Sequence, residues 1–431
     1  MDAILIRGAR LIDPGTGVDA VRDLLAADGR VLAVADGIEP AAAEQMLPEP
    51  ASLRMMDASG LWLMPGLVDL HVHFREPGFT HKETLATGAR AAAAGGFTTV
   101  VCEPNTEPPI DSVELVRELA AKADREADVR VYFKAAMTRG RRGERPTAIR
   151  ALAAEERVVA LSDDGDPLVR PDVMEQVCAL AAEAGIPLAP HSADSAASLE
   201  KIEAGVDPGF RPDEPFRNEA NWIERDLRIA GRFGCRIHFS HVSLARSMAL
   251  IAGSQPRLSV SCEATPHHLL LCREDFGDGE VPRVNPPIRS AADRGALRRA
   301  LISGEVDVIA SDHAPHTVQD KAAGACGLIG LETTLGLVLT HLLGEDGLSP
   351  LEAVRLMSTS PARLFDLPGG SLEAGSPADM VLVDPAREWT VDPEQFRSRS
   401  RNTPYAGWKL RGKVAATFVA GEQVYAAPAF E

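Results

Sequence analysis

Five absences narrow what this 431-residue sequence can be. No apolar run reaches the roughly 20 residues of a bilayer span. The opening MDAILIRGARLIDPG also lacks the basic-then-apolar layout of a secretion signal, so no membrane role is expected. Positive charge is in deficit: 45 Lys and Arg against 62 Asp and Glu leave a net −17, which argues against nucleic acid as a partner. An anionic small substrate would need local positive charge to offset that field. The six cysteines are scattered without a CxxC pair, and reduced thiols in the cytoplasm are the simplest account. Finally, no GxGxxG follows any candidate strand, so an open dinucleotide-binding sheet lacks its signature.

What remains is an ordinary globular composition, 45% hydrophobic and 25% charged, in a chain long enough for one large domain and a smaller one. From about residue 57 the chain alternates β-rich runs with helical patterns. Eight candidate strands stand out: LWLMPGLVDLHVH, FTTVVCEP, DVRVYFKAAM, VVALSDD, IPLAPHS, CRIHFSHVS, LSVSCEATPHH and DVIASDHAPH. Helical segments such as KETLATGARAAAAGG, SVELVRELAAKADREA, DVMEQVCALAAEAG and ADRGALRRALISGE lie between them. Eight strand–helix units predict an α/β fold, a closed (β/α)8 TIM-type barrel over residues 57–365. The ends differ. Residues 1–56 and 366–431 carry short β-like runs between Gly, Asp and Pro turns, and neither could bury a core alone. They are expected to pair into one small composite β-domain.

The informative pattern is where the polar residues fall. His71 and His73 close the first candidate strand, and Asn105 follows the second. Asp163 and Asp164 end the fourth strand, His191 the fifth, and His241 the sixth. His267 and His268 end the seventh, and Asp312, His313 and His316 the eighth. In such barrels the C-terminal face carries the active site. Within GLVDLHVHFREPG, alternation puts His71, His73 and Arg75 on one strand face. Histidine with carboxylate suits Zn²⁺ or a similar divalent ion. His71, His73, Asp164, His191, His241 and Asp312 are too many for one tetrahedral ion, and two ions sharing a carboxylate account for the number. Such a site is equipped to hydrolyse an amide. The plainer reading, buried histidines paired with acids for structural reasons, applies more readily to any single member than to the set.

PGLVDLHVHFREPG, FTTVVCEPNTEPPID, LSDDG, FSHVS, EATPHHLLL, VNPPIR and ASDHAPH together resemble the dihydroorotases of the amidohydrolase superfamily. The likeness extends to RNTPYAGWKLRGKV near the C-terminus. It implies His71, His73 and Asp312 as ligands of one zinc ion and His191 and His241 as ligands of a second. SDDG in place of a carboxylated lysine resembles the bacterial branch that bridges the ions with aspartate. The spacing to His191 favours Asp164 over Asp163.

The resemblance further implies substrate contacts from Arg75, Asn105, Asn285 and His316, and from backbone around Cys326 and Gly327. Arg75 offers a planar fork to a carboxylate that the reaction leaves untouched. Residues 317–327, polar and small, suit a lid. The implied reaction is the reversible cyclisation of N-carbamoyl-L-aspartate to L-dihydroorotate in pyrimidine synthesis, with a hydroxide between the metals and Asp312 as general acid and base.

Without the resemblance, Asn105 and Asn285 read as turn residues, His267 and His268 as mainly structural, and His81, His238 and His341 as without a role. Two positions depart from the pattern: Glu103 stands where an apolar residue usually precedes PNT, and HSAD replaces the usual Cys and acidic residues after His191. The rival readings are a cyclic amidohydrolase of hydantoin or allantoin, and an inactive structural partner of aspartate transcarbamoylase. A homodimer is the default assembly.

Overall fold

The computed structural model describes residues 2–47, 52–210 and 218–428. From the N-terminus come β1 (Asp2–Asp13), β2 (Val18–Ala27), β3 (Arg30–Ala35), β4 (Ser52–Asp57) and β5 (Trp62–Pro65). A parallel series follows: β6 (Leu67–Val72), β7 (Phe97–Cys102), β8 (Arg130–Ala136), β9 (Val158–Ser162), β10 (Ile237–Phe239), β11 (Val260–Ala264) and β12 (Val308–Ile309). The C-terminal part contributes β13 (Met380–Thr390), β14 (Lys409–Val419) and β15 (Glu422–Ala426).

The parallel series closes into a TIM-type barrel. β6 to β9 pair in order, and β10 to β12 likewise. Leu188 spans the gap, bridging Leu161 on one side and Ile237 on the other. Val72 bridges His313 to complete the ring, and the His73 amide donates to the His313 carbonyl at 2.9 Å. Every residue of β6 and β7 is buried, as expected for strands covered on both faces. Inside the barrel, Val68, Leu70, Val101, Ala160, Ala189 and Val308 pack together and are plugged by Phe365 and Leu367.

Two expected strands differ from their prediction, each for a local reason. IPLAPHS contracts to the single bridge at Leu188, because Pro187 and Pro190 on either side have no amide to donate to a ladder. The run LWLMPGLVDLHVH is divided at Gly66. A Cβ there would stand 2.1 Å from Thr98 Oγ1, so only glycine lets the chain pass from one sheet into the other. The four helices named from sequence are present as Leu85–Ala94, Val113–Glu126, Pro171–Ala184 and Ala291–Ile302. Thr84, Ser112 and Ser290 cap three of them, and Gly185 ends the Pro171–Ala184 helix in the left-handed region.

Strands from both ends of the chain form one eight-stranded sheet, ordered β15-β14-β13-β5-β1-β2-β3 with β4 beside β1. Its seam is the antiparallel pairing of β13 with β5, Leu382 opposite Leu63. Ile4, Ile6, Leu11, Leu24, Leu63, Met380, Leu382 and Phe418 make a core of its own. Arg130 at the start of β8 ties this sheet to the barrel with two bonds to the Asp379 carboxylate, 2.8 and 3.1 Å.

Candidate metal centre and substrate pocket

At the C-terminal ends of the barrel strands lies a cavity of about 640 Å³. Its walls include His73, Arg75, Asn105, Asp164, His191, His241, Asn285, Asp312, His316, Cys326 and Gly327. His71 lies beneath it, wholly buried. All twelve residues singled out in the sequence are therefore at or next to one place.

The strand series sets their positions, but three of them leave it. Arg75, His241 and Asp312 all have left-handed backbones, with φ of 59°, 38° and 47°. Such conformations are unfavourable for non-glycine residues and persist only where the surroundings impose them. Arg75 thus does not share a strand face with His71 and His73 as alternation predicts. β6 ends at Val72, and a turn brings the guanidinium to the cavity instead. At the last stave, β12 stops at Ile309, and the Asp69 carboxylate takes the Ser311 amide at 3.2 Å before the chain turns at Asp312.

The polar contacts are dense. His71 Nδ1 donates to Glu263 Oε1 at 2.7 Å, which aims Nε2 at the site. That nitrogen lies 3.6 Å from each of Asp164 Oδ1 and Asp312 Oδ1. His73 Nε2 is 3.2 Å from Asp312 Oδ1, and its Nδ1 is 2.9 Å from Asn105 Oδ1. Asp164 Oδ1 meets His191 Nδ1 at 3.2 Å and His241 Nε2 at 3.5 Å, while Asn105 Nδ2 donates to its Oδ2 at 3.0 Å. Asn285 Nδ2 donates to His191 Nε2 at 3.0 Å. Asp163 turns away and accepts from the Thr138 amide and hydroxyl. Of the two acids in SDDG, Asp164 is the one beside the histidines.

The residues fit a metal. His71, His73 and Asp164 offer donor atoms all within 4.8 Å of one another, and Asp164, His191 and His241 do the same. Asp164 belongs to both groups, as a carboxylate shared by two ions would. Among the described residues His71 Nε2 and His241 Nδ1 have no hydrogen-bond partner, although both are buried. The electrostatics agree. Burial pushes His71 down, but the Glu103 and Glu263 carboxylates outweigh it and lift the imidazole to about 10, so the setting favours a cation. Burial raises Asp312, but its bond from His73 and the charges of His71 and His73 hold it below the usual carboxylate range.

The cavity's other wall is built for an anion. Desolvation lowers Arg75 to about 10, which leaves it charged at neutral pH. Its Nε donates to the Pro315 carbonyl at 3.2 Å, and Nη2 lies 3.1 Å from His316 Nε2. His316 Nε2 is also 2.8 Å from the Cys326 carbonyl. Burial, with the Arg75 and Lys82 charges, pushes His316 down to about 3, so it is a neutral partner. Gly327 has φ 138°, and a side chain there would meet Ala314.

Sequence reading missed the groups that hold these in place. Glu263 accepts from His71 Nδ1, from the His241 amide at 3.2 Å and from His238 Nε2 at 3.1 Å. His238, given no role from sequence, thus orients the carboxylate that orients His71. Asp69 accepts the amides of His71 and Ser311 and joins the first and last staves. Their signal was an acid inside an otherwise apolar strand, in VSCEA and LVDLHV. His268 Nε2 meets the Pro286 carbonyl at 3.0 Å, next to Asn285. In HSAD, Asp194 accepts from Trp222 Nε1 at 2.8 Å and offers its carbonyl to Asn285.

Residues 62–424 match the amidohydrolase family. The dihydroorotase of Citrifermentans bemidjiense is 39% identical, the match covering 98% of this chain and all of that protein. The dihydroorotase of Anaeromyxobacter dehalogenans strain 2CP-1 is 40% identical, covering 98% of each. Among solved structures, the L-hydantoinase (dihydropyrimidinase) of Arthrobacter aurescens superimposes with a TM-score of 0.83 at 26% identity, over 97% of this chain and 95% of that one. The D-hydantoinase of a Thermus species, at 21% identity and a TM-score of 0.81 over 98% and 96%, shares the fold. With relatives this close over nearly its whole length, the chain belongs to the amidohydrolase family and, within it, to the dihydroorotases.

Proposed function

We propose that this protein catalyses the reversible cyclisation of N-carbamoyl-L-aspartate to L-dihydroorotate and water, a step of pyrimidine synthesis. The observation that carries this reading is the junction of two walls in one cavity: the His–Asp cluster, and a charged Arg75 beside neutral His316. His71, His73, Asp164 and Asp312 would hold one zinc ion, and Asp164, His191 and His241 a second. Bound there, the ions would acidify a water molecule and polarise the amide carbonyl.

The chain's own residues supply the rest. Arg75 grips the carboxylate that both substrate and product carry, and Asn105 and His316 hold it in register. Asn285 and the backbone at Cys326 and Gly327 close over the ring. In the ring-closing direction Asp312 takes the proton from the ureido nitrogen, and in hydrolysis it returns that proton to the leaving amide nitrogen. The neighbouring histidines keep it ionised at neutral pH.

The division into a barrel, 57–365, and a β-domain from 1–56 and 366–431 belongs to the same proposal, with the first boundary moved to Gly66 because β5 pairs with β1 and β13. So do a cytoplasmic location, supported by six free cysteines, and a homodimer. Among the described residues no helix is long and apolar enough to cross a membrane. Aspartate transcarbamoylase, the source of N-carbamoyl-L-aspartate, is the natural enzyme to test for association.

Hydrolysis of L-dihydroorotate, followed by loss of its ultraviolet absorbance, tests the reading. The expected result is turnover that a chelator abolishes and zinc restores. Turnover of hydantoin in preference to dihydroorotate would replace the reading with a hydantoinase, whose neutral ring gives Arg75 no carboxylate.

A further inference from the structure

Beneath the metal ligands lies a charged pair that the reaction described above does not use. Glu103, just past the end of β7, and Lys134, on β8, have no exposed side-chain surface, and Lys134 Nζ donates to Glu103 Oε1. Lys134 also lies 6.0 Å from the Phe365 ring, and beyond Glu103 the Glu263 and Asp164 carboxylates favour its charged form at the floor of the site. Isolated buried ion pairs stabilise folds poorly, because desolving two charges offsets most of their attraction. A purely structural role would be served as well by two apolar side chains.

Glu103 is also aimed at the metal cluster. Its Oε1 stands 3.6 Å from His71 Nε2, the same distance at which Asp164 Oδ1 and Asp312 Oδ1 stand from that atom. A hydrogen bond would bring these atoms to about 3.2 Å or closer. Donors that share one ion at roughly 2.0–2.2 Å are instead separated by roughly 3.0–3.6 Å. The remaining oxygen, Glu103 Oε2, is buried without a hydrogen-bond partner among the described residues. A buried carboxylate oxygen in that state is left without a donor to offset its desolvation.

Resting on the metal reading above, we infer that Glu103 is a further carboxylate ligand of the ion held by His71 and His73, with Lys134 balancing its charge from below. Glu103 would then add a carboxylate from below to the ion that His71 and His73 hold. Lys134 tempers the added negative charge, so the ion is held without quenching its ability to polarise a carbonyl. Lys134→Met is accordingly expected to tighten zinc binding where it folds.

The test measures zinc binding to the full chain by competition with a chromogenic chelator, together with the visible spectrum of the cobalt-substituted protein. Glu103→Gln keeps the shape and removes the charge. The double variant Glu103→Met with Lys134→Met removes both charges and leaves none unpaired, so it remains informative if the single variant does not fold. We expect both to lose at least tenfold in affinity for one of two zinc ions and to shift the cobalt spectrum. A folded double variant with unchanged zinc affinity and cobalt spectrum would overturn the inference and leave the metal reading intact. A wild-type chain that takes up no zinc would overturn both.

Discussion

The mouth of the barrel and the sheet built from the two chain ends follow opposite rules. At the mouth, Arg75, His241 and Asp312 adopt left-handed backbones, and buried nitrogens of His71 and His241 lack hydrogen-bond partners among the described residues. In the terminal sheet, Leu63, Met380, Leu382 and Phe418 are apolar and wholly buried, and the strands pair in long ladders. The sheet and the lower barrel hold the structure together; the mouth holds strain and charge that they support. Substitutions should therefore separate activity from stability according to region.

The largest separation is expected at Asp312. Asp312→Ala should lose more than a thousandfold in turnover while the chain still folds, as read by denaturant unfolding of the same sample. Retained turnover would break the assignment of the proton-transfer group. In the sheet the effect should invert. Leu382→Ala opens a cavity beside Leu63 and Met380 and should cost about 3 kcal/mol of stability, read in denaturant unfolding, with kcat of the folded fraction unchanged. Arg75→Gln returns to the mouth. It should raise KM for dihydroorotate about tenfold to a hundredfold, since the carboxylate loses a charged fork, and change stability little. An equal loss on hydantoin would mean that Arg75 serves the protein rather than the substrate.

The smallest effect is expected where the two regions meet. Glu332, in the helix Leu331–His341, accepts the amides of Arg397 and Ser398 between β13 and β14. Burial lifts its carboxyl from 4.5 to about 7, and those two bonds offset only part of the rise. A carboxyl raised on folding contributes stability below its unfolded pKa and loses it as pH climbs through the folded value. Glu332→Gln keeps an acceptor and cannot ionise. Its melting temperature relative to wild type should increase by a few degrees between pH 5 and pH 8. No pH dependence in that difference would show that the carboxyl titrates alike in the folded and unfolded chain.

Much of the mouth was legible because its residues interrupt a pattern. His71 and His73 break an apolar strand, and Asp164, His191, His241 and Asp312 each end one, so alternation and strand order bring them to one face. Arg75 reached the cavity by a route alternation misstates, because φ of 59° turns the chain where a strand was expected to continue. Glu263, Asp69 and His238 were missed for a different reason. Glu263 and His238 pair between strands and Asp69 reaches across to Ser311; His71 and Glu263 are 192 residues apart, and no local pattern encodes such pairings. Leu188 shows the limit for the fold itself: with a proline on each side, a stave survives as one bridge.

The sequence by itself determined the alternation of strand and helix, and hence a closed barrel with its polar residues at one end. It also determined the chemistry available there, through residue type: imidazoles, carboxylates and the guanidinium of Arg75 against an acidic background. Tertiary structure decided the rest. It decided that Asp164 rather than Asp163 faces the histidines, that β5 leaves the barrel at Gly66 to join β13, and that Glu103 and Lys134 meet beneath His71. Period and composition constrain which face a residue occupies, whereas which atoms meet across a core depends on packing and charge balance between distant segments.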